Sequence, residues 1–247
     1  MTDSSHQDYS QRGRLSHQIG LISDELSLWT MDCLTLLGRR HLPAGYWGPD
    51  EQADRGPGFL YLTFDDGPCP HTTPWLLELL EAEGVKASFF LIGSRVAAHE
   101  HLVERIAMAG HVIGNHSFNH LPMPVLPTSH LEKEIDKTNQ RIKEITGQAP
   151  ALFRPPYGLI DQRAADCLKE RQMLPVYWGA VPEDWSKPGP ERVVRRVVRR
   201  LRHGNLIVLH ERRVLSKQTV AAAKAIICKG RQLGYGFAAI PEPGAAS

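Results

Sequence analysis

The sequence predicts an α/β fold built on a parallel sheet, with a short helical extension at its N-terminus. From residue 59 to residue 241, short runs rich in β-branched and aromatic residues alternate with longer segments of helical periodicity. Most of the short runs are too apolar to be half exposed, as expected for strands that are covered on both faces. Seven such units in strict alternation predict either an open doubly wound sheet or a closed βα barrel.

The predicted elements follow one another in regular order. The strands are expected at residues 59–64, 87–92, 112–115, 151–153, 174–178, 206–209 and 237–240. The helices between them are expected at residues 73–83, 95–109, 129–146, 161–170, 191–203 and 219–233. Gly84, Gly110 and Gly147 follow the first three of these helices, at the position where glycine most often ends a helix.

Composition limits the classes of function that need to be considered. The chain has 247 residues, 42% of them hydrophobic and 23% charged, so it can bury a substantial core. A formal net charge of +2 gives no general attraction to nucleic acid, and no nucleic-acid partner is expected. The four cysteines stand far apart without a CxxC pair, which argues against a zinc knuckle and a disulfide scaffold.

Residues 1–57 are predicted to form an N-terminal extension, and residues 58–247 the α/β domain. Within the extension, apolar residues recur at steps of three and four between residues 19 and 37, which predicts an amphipathic helix. Asp24, Glu25 and Asp32 interrupt this stretch, so neither a signal peptide nor a membrane span is predicted, and a cytoplasmic location is expected.

The amphipathic helix is expected to pack on the α/β domain and cover one end of it. The alternative is a weak peripheral contact with an anionic membrane, made together with the arginine-rich segment 192–200. The simpler interpretation of segment 192–200 is a helix whose arginines form a solvated outer face. The sequence gives no indication of the oligomeric state.

Polar clusters follow five of the predicted strands. They are residues 63–68 (TFDDGP), 116–120 (HSFNH), 154–158 (RPPYG), 184–185 (DW) and 210–211 (HE). The carboxyl ends of parallel strands all face one end of the sheet, which is where such folds have their active sites. The five clusters are therefore expected to converge.

Two of these clusters have the residue types of a metal site. Asp65 and Asp66 are adjacent, so on an extended chain they point in different directions and can serve different roles. His116 and His120 lie at positions i and i+4, on one side of the chain if the segment makes a helical turn. Two histidines and a carboxylate leave part of the coordination sphere of zinc or a related divalent ion open for water.

Each motif taken alone has a simpler interpretation. An Asp-Asp-Gly-Pro sequence is usually a turn, and a pair of histidines four residues apart is usually solvated. These interpretations do not explain why Arg154, Asp184 and His210 also stand at the ends of strands. The combination therefore indicates a hydrolytic site.

The first four clusters, followed by residues 209–210 (LH), resemble in order the five motifs of the polysaccharide deacetylases of the NodB-homology type, carbohydrate esterase family 4. The resemblance covers about residues 59–241. It implies a distorted (β/α)7 barrel. It also implies a metal-dependent hydrolase that removes the acetyl group from an N-acetylhexosamine-containing saccharide, which would be its substrate partner.

The resemblance implies a ligand set and a base. Asp66, His116 and His120 would hold one divalent metal ion, expected to be zinc. Asp65 would be the general base that takes a proton from the metal-activated water, and Arg154 would hold Asp65.

The resemblance also implies the groups that act on the substrate. His210 would protonate the departing amine, with Asp184 orienting it, and the backbone N–H of Tyr157 would form the oxyanion hole. Trp185 and Val208 would line a small pocket for the acetyl methyl group. For Trp185, an ordinary core aromatic is the alternative interpretation.

Two other functions stay open at this point. One is a metal amidohydrolase that acts on a formamide or another small non-sugar amide, because barrels of this kind differ in their loops more than in their metal sites. The other is a catalytically dead carbohydrate-binding homologue. The presence of all seven polar site residues argues against the second; they are Asp65, Asp66, His116, His120, Arg154, Asp184 and His210.

Overall fold

The computed structural model describes residue 33 and residues 37–48 and 58–243 of the chain. Contacts between residues divide the chain into two units, with the boundary between His41 and Leu42. In the first unit, Cys33 and residues 37–41 are helical. The other residues of the predicted amphipathic segment 19–37 lie outside the described residues. Among the helices that are described, none has the length and hydropathy needed to cross a membrane.

Strands and helices alternate in the second unit as the sequence predicts. The strands are β1 (Phe59–Gly67), β2 (Ser88–Leu91), β3 (Val112–Asn115), β4 (Leu152–Phe153), β5 (Leu174–Pro175), β6 (Leu206–His210) and β7 (Gly236–Ala238). The helices are α1 (Thr73–Ala82), α2 (Gly93–Ala98), α3 (Glu100–Met108), α4 (Thr128–Thr146), α5 (Gln162–Glu170), α6 (Pro190–Val198) and α7 (Ser216–Gln232). Short 3-10 turns lie at Met123–Val125, Pro156–Gly158, Asp184–Ser186 and Arg213–Leu215.

The strands form one sheet in the order β5-β4-β3-β2-β1-β6, and β7 pairs with the beginning of β1. All strand pairs are parallel. Between β5 and β6 there is no continuous ladder, and an isolated bridge between Ala180 and Ile207 is what connects this part of the chain to β6. The sheet is therefore not fully closed, and the predicted distorted α/β barrel is confirmed.

Side chains of β1 alternate between two environments. Leu60, Leu62 and Phe64 are fully buried in the core cluster that includes side chains of the surrounding helices. Thr63 and Asp65 point to the other face, where both bind Arg154. This alternation follows from the two-residue period of a strand. It delivers polar groups to the inside of the barrel at the end where β1 finishes.

Two predicted helices have different limits in the structure. The helix expected at residues 95–109 is divided into α2 and α3 at His99, whose φ of −143° is not helical. No glycine or proline marks this break, so the periodicity gave no sign of it. The helix expected at residues 191–203 ends at Val198. Beyond it, the side-chain amide of Asn205 donates to the carbonyl oxygen of Arg200 at 2.5 Å, which draws the chain into β6.

The arginine face predicted for segment 192–200 is not solvated throughout. Arg196 is 4% exposed, and its Nη1 atom donates to the carbonyl oxygen of Pro182 at 3.0 Å and to Glu183 at 2.9 Å. The prediction is wrong at this residue, because a buried guanidinium finds partners in the loop that precedes the helix. Arg196 thus holds the loop that carries Asp184.

Residues 42–48 pack within the barrel unit, although the sequence analysis assigned them to the extension. The backbone N–H of Tyr46 donates to the carbonyl oxygen of Pro175 at 2.7 Å, and Trp47 stacks on Tyr177 with 4.3 Å between ring centroids. The chain after β5 pairs here through a bridge between Tyr46 and Val176, which explains why the strand expected at 174–178 ends at Pro175.

Candidate active site

The end of β1 supplies two adjacent carboxylates to the site. The register of β1 with β2 shifts between Asp65 and Gly67, and Asp66 has a positive φ of 69°. Asp65 binds Arg154, whereas Asp66 lies beside two histidines. The two aspartates therefore have different partners, in agreement with the prediction that they point in different directions.

Asp66, His116 and His120 form a compact group. The Nε2 atoms of His116 and His120 lie 3.7 and 3.3 Å from Oδ1 of Asp66, and the candidate ligand atoms of the three residues all lie within 4.8 Å of one another. Oδ1 of Asp66 is buried and receives no hydrogen bond from the described residues. A buried anionic oxygen between two imidazole nitrogens fits a divalent cation.

A backbone carbonyl orients the first histidine. Nδ1 of His116 lies 2.6 Å from the carbonyl oxygen of Arg154, so a proton on Nδ1 satisfies that carbonyl and leaves the lone pair of Nε2 for a cation. This is the usual arrangement around histidines that bind metals.

Charge states at neutral pH also suit a cation. Burial by itself would raise the pKa of Asp66, but His116, His210, His120 and Arg212 lower it to about 2. Burial and the neighbouring His116 lower the pKa of His120 to about 4. The carboxylate is therefore ionised and the His120 imidazole is neutral, which are the forms that bind metals.

The two histidines are not brought together by a helical turn, contrary to the sequence-based expectation. Ser117 and His120 have positive φ values of 60° and 58°. The backbone N–H of Ser117 donates to the Asn115 side chain at 2.7 Å, and that of His120 donates to Oγ of Ser117 at 2.9 Å. Short side chains thus hold a non-helical loop in which both imidazoles reach Asp66.

A residue that the sequence analysis missed anchors this loop. Glu134 of α4 is 7% exposed, and its Oε2 accepts from the backbone N–H groups of Phe118 and Asn119 at 3.0 and 2.7 Å. Its Oε1 accepts from the side-chain amide of Asn119 at 2.6 Å. One signal could have revealed it: Glu134 lies in the apolar stripe of its helix, where a carboxylate needs partners.

Asp65 is held in the interior of the barrel. Nη1 of Arg154 lies 2.7 Å from Oδ1 of Asp65 and also donates to Oγ1 of Thr63 at 2.7 Å. The guanidinium carbon lies 4.0 Å from the centre of the Phe90 ring. Arg154 therefore holds the Asp65 carboxylate in a fixed position.

A histidine–carboxylate pair stands across the site. Nδ1 of His210 lies 2.8 Å from Oδ1 of Asp184, and the backbone N–H of His210 donates to Oδ2 at 2.8 Å. Burial by itself would lower the pKa of His210, but Asp184, with Asp65 and Asp66, raises it to about 9. His210 is therefore protonated at neutral pH.

The predicted pocket residues lie around this pair. Trp185 is 43% exposed, so it is not a core aromatic, and its ring meets that of His210 edge-on at 5.1 Å. Val208 is buried two residues before His210 in β6 and so shares its face of the strand. Tyr157 lies in the turn after β4 with a φ of 58°, and its ring contacts that of His120 at 4.6 Å.

The family model described as polysaccharide deacetylase matches residues 52–176. A peptidoglycan-N-acetylglucosamine deacetylase from Bacillus cereus is 35% identical over 211 residues, which are 84% of this chain and 97% of that protein. The chain belongs to the polysaccharide deacetylase family. A chitooligosaccharide deacetylase from Rhizobium leguminosarum bv. trifolii is 31% identical over 78% of this chain and 95% of that protein.

Solved structures lead to the same family. The crystal structure of the Bc1960 peptidoglycan N-acetylglucosamine deacetylase, in complex with a hydroxamate-type benzamide, matches with a TM-score of 0.73 and 31% identity. The match covers 78% of this chain and 89% of that one. A further matched structure, from Streptomyces lividans, is described as a family 4 carbohydrate esterase, with a TM-score of 0.68 and 31% identity over 74% of this chain and 91% of that one. The chain is accordingly a carbohydrate deacetylase of the hydrolase class.

Two arginines that the sequence analysis missed also touch Asp66 in this polysaccharide deacetylase. Nε of Arg212 donates to Oδ2 of Asp66 at 2.7 Å. Nη1 of Arg95 donates to the carbonyl oxygen of Asp66 and, at 3.4 Å, to that of Glu211. Arg212 directly follows the cluster 210–211, whereas Arg95 lies in α2, away from all five clusters, and nothing in the sequence distinguishes the two from surface arginines.

Proposed function

We propose that this chain hydrolyses the N-acetyl amide of an N-acetylhexosamine unit within a saccharide. The observation that carries the proposal is the convergence of five strand ends on one site, where a candidate metal group, a buried carboxylate and a histidine paired with a second carboxylate lie together. Amide hydrolysis needs these parts: an activated water, a base to accept its proton and an acid for a poor leaving group.

Asp66, His116 and His120 would hold one divalent ion, and zinc suits a set of two imidazole nitrogens and one carboxylate oxygen. When bound, such an ion lowers the pKa of water and polarises a carbonyl oxygen. The orphaned Oδ1 of Asp66 and the neutral His120 support this assignment.

Asp65 would accept the proton of the attacking water. Its carboxylate is buried and held by Arg154, so it is available as a base without losing its position. On the other side of the site, His210 would give a proton to the departing amine. Asp184 on Nδ1 leaves the second ring nitrogen of His210 to face the substrate.

The substrate would be held by groups at the rim. The backbone N–H of Tyr157 would stabilise the oxyanion, since the positive φ of this residue turns the backbone just after β4. Trp185 and Val208 would border the acetyl methyl group, and their apolar surfaces beside His210 support this.

The decisive experiment is acetate release by the metal-loaded protein and by the chelated protein. Its substrates are chitooligosaccharides, peptidoglycan fragments, poly-N-acetylglucosamine and lipid-linked N-acetylated sugars. We expect release from at least one saccharide, lost on chelation and restored by zinc. Release from formamide or small non-sugar amides alone would favour the amidohydrolase alternative. Tight saccharide binding without release would indicate a binding homologue.

The cytoplasmic location and the role of residues 1–57 stay predictions. We expect the amphipathic segment to act as a structural cap. The contacts of residues 42–48 make residue 41 the sensible limit of a truncation, because Trp47 and Tyr46 pack within the barrel unit. A structural cap predicts that protein lacking residues 1–41 is less stable in urea, and that intact protein does not sediment with anionic vesicles. Cell fractionation tests the location.

A further inference from the structure

One charged side chain at the site has no part in the proposed reaction. Nε of Arg212 binds Oδ2 of Asp66 at 2.7 Å, and the side chains of these two residues are 44% and 1% exposed. The guanidinium therefore reaches from the buried carboxylate to the solvent. The backbone is also held here, because the carbonyl oxygen of Arg212 accepts from the N–H of Leu215 at 2.8 Å.

This anchoring leaves the outer part of the guanidinium available. Within the described part of the chain, the bond from Nε is the one hydrogen bond that the Arg212 side chain makes, so its two terminal amino groups have no hydrogen-bond partner there. A guanidinium that is already fixed loses little further freedom when it binds a ligand. Its two amino groups match two oxygens of a phosphate or a carboxylate.

The loops around the site carry exposed charges of one sign. These loops are residues 117–127, 155–159, 182–188 and 211–215. Their exposed charged residues are all cationic: Lys187, Arg212 and Arg213. The acidic residues of these loops are buried or paired: Asp184 and Glu211 are fully buried, and Glu183 accepts a hydrogen bond from Arg196. The exposed charges of these loops are thus positive, although the chain has a net charge of only +2.

We propose that Arg212 is an anion-recognition residue, and that the substrate is an N-acetylated saccharide with a phosphate or carboxylate group close to the acetylated sugar. The inference rests on the proposed deacetylase function and adds the substrate class. A neutral oligosaccharide would meet the same metal group and base but would leave this guanidinium bound to water. An anionic one gains a charge-assisted pair at the mouth of the site.

The test compares matched substrates in matched variants. The kcat/KM for acetate release is measured on a neutral chitooligosaccharide, on the same oligosaccharide with a phosphate at its reducing end, and on one that ends in N-acetylmuramic acid. The wild type, Arg212→Gln, Arg212→Lys and Arg213→Gln are compared. Any effect of the Arg212 variants through Asp66 changes all three rates, so it cancels in the ratio of anionic to neutral substrate.

We expect the wild type to have a higher kcat/KM on at least one anionic saccharide than on the neutral one. The anionic saccharide with the higher value shows whether Arg212 recognises a phosphate or a carboxylate. Arg212→Gln should lower that ratio about tenfold or more, the effect of losing one charge-assisted pair. Arg212→Lys should retain part of the preference for the anionic substrate. Arg213→Gln removes the same charge one residue away and should change the ratio less than about twofold. An unchanged ratio in Arg212→Gln, or no preference in the wild type, overturns the inference.

A binding measurement tests anion recognition independently of whether the protein proves to be a deacetylase. Calorimetric titration of the wild type and Arg212→Gln with the neutral and phosphate-bearing oligosaccharides needs no turnover. Tighter binding of the phosphate-bearing form that is lost in Arg212→Gln supports anion recognition even if no acetate is released. Equal affinity for the two saccharides overturns it, even if the enzyme proves to be a deacetylase.

Discussion

The carboxylate of Asp65 and the guanidinium of Arg154 form a pair, with 2.7 Å between Oδ1 and Nη1, in which each side chain is about 95% buried. Such a pair gives little net stability, because desolvation of the two charges opposes their attraction. The pair instead holds one carboxylate in a fixed position beside the candidate metal group.

Asp65→Asn should keep the metal and lose the reaction. The amide has nearly the shape of the carboxylate but cannot accept the proton of the attacking water, so we expect kcat to fall by about a hundredfold or more. Metal content is measured alongside by elemental analysis, with Asp66→Asn as the matched variant that should lose metal. Full activity in Asp65→Asn would mean that another group activates the water.

Arg154→Met should destabilise the fold by about 3–5 kcal/mol, because it leaves the Asp65 carboxylate buried without a counterion. The double variant Arg154→Met/Asp65→Asn removes both charges and should recover much of this loss while staying inactive. Urea unfolding gives the free energies. A double variant no more stable than Arg154→Met alone would show that the loss comes from packing or from the bond to Thr63.

His120→Ala should remove most of the bound metal. The protein purified without chelator is expected to contain about one divalent ion per chain, and the variant much less, because one of three ligands is gone. His130→Ala is a control on an exposed histidine of α4. Stoichiometric metal in the double variant His116→Ala/His120→Ala would contradict the assignment.

Asp184→Asn should move the alkaline limb of the pH–kcat profile to lower pH. His210 must be protonated to act as an acid, and the raised pKa of about 9 depends on the charge of Asp184. Without that charge the pKa falls, so the acid form is lost at lower pH, by about one to three units. Glu183→Gln removes a neighbouring charge that pairs with Arg196 and should leave the limb in place. An unmoved limb in Asp184→Asn would exclude His210 as the acid.

Glu134→Gln should weaken metal binding although Glu134 is not a ligand. An amide cannot accept all three hydrogen bonds from Phe118 and Asn119 with the same geometry, so the loop that carries His120 loosens. Loss of such outer support lowers metal affinity about 10–100-fold. Glu132→Gln on the same helix is the control. Zinc affinity is measured in competition with a chromophoric chelator. Equal affinity of the wild type and Glu134→Gln would show that the loop keeps its conformation without Glu134.

The order of elements and the convergence of the site could be predicted because they depend on local pattern and on one general property of parallel sheets. Apolar runs set the strands, and the clusters that follow Phe64, Asn115 and Phe153 come to the same end of the sheet. For this reason His116, Arg154 and Asp65 were expected near one another, and they are in contact.

The features that were predicted wrongly or not at all depend on contacts between residues far apart in the chain. The loop 117–120 is not a helical turn: Ser117 and His120 have positive φ values, and Glu134 from α4 accepts from the backbone N–H groups between them. Arg212 and Asp66 are 146 positions apart in the chain and meet where the paired strands β1 and β6 end. Arg196 is buried because the loop at Pro182 offers it acceptors. None of these pairings follows from periodicity or spacing.

The anchoring of the His120 loop by a side chain of α4 links local unfolding of this helix to metal binding. If α4 separates from the barrel, Glu134 leaves with it and one metal ligand is released at the same moment. By mass action, an ion bound at the site then opposes that separation. Amide hydrogen exchange in α4 should therefore slow when zinc is added, and thermal inactivation in chelator should begin with local opening of this helix rather than with collapse of the whole sheet.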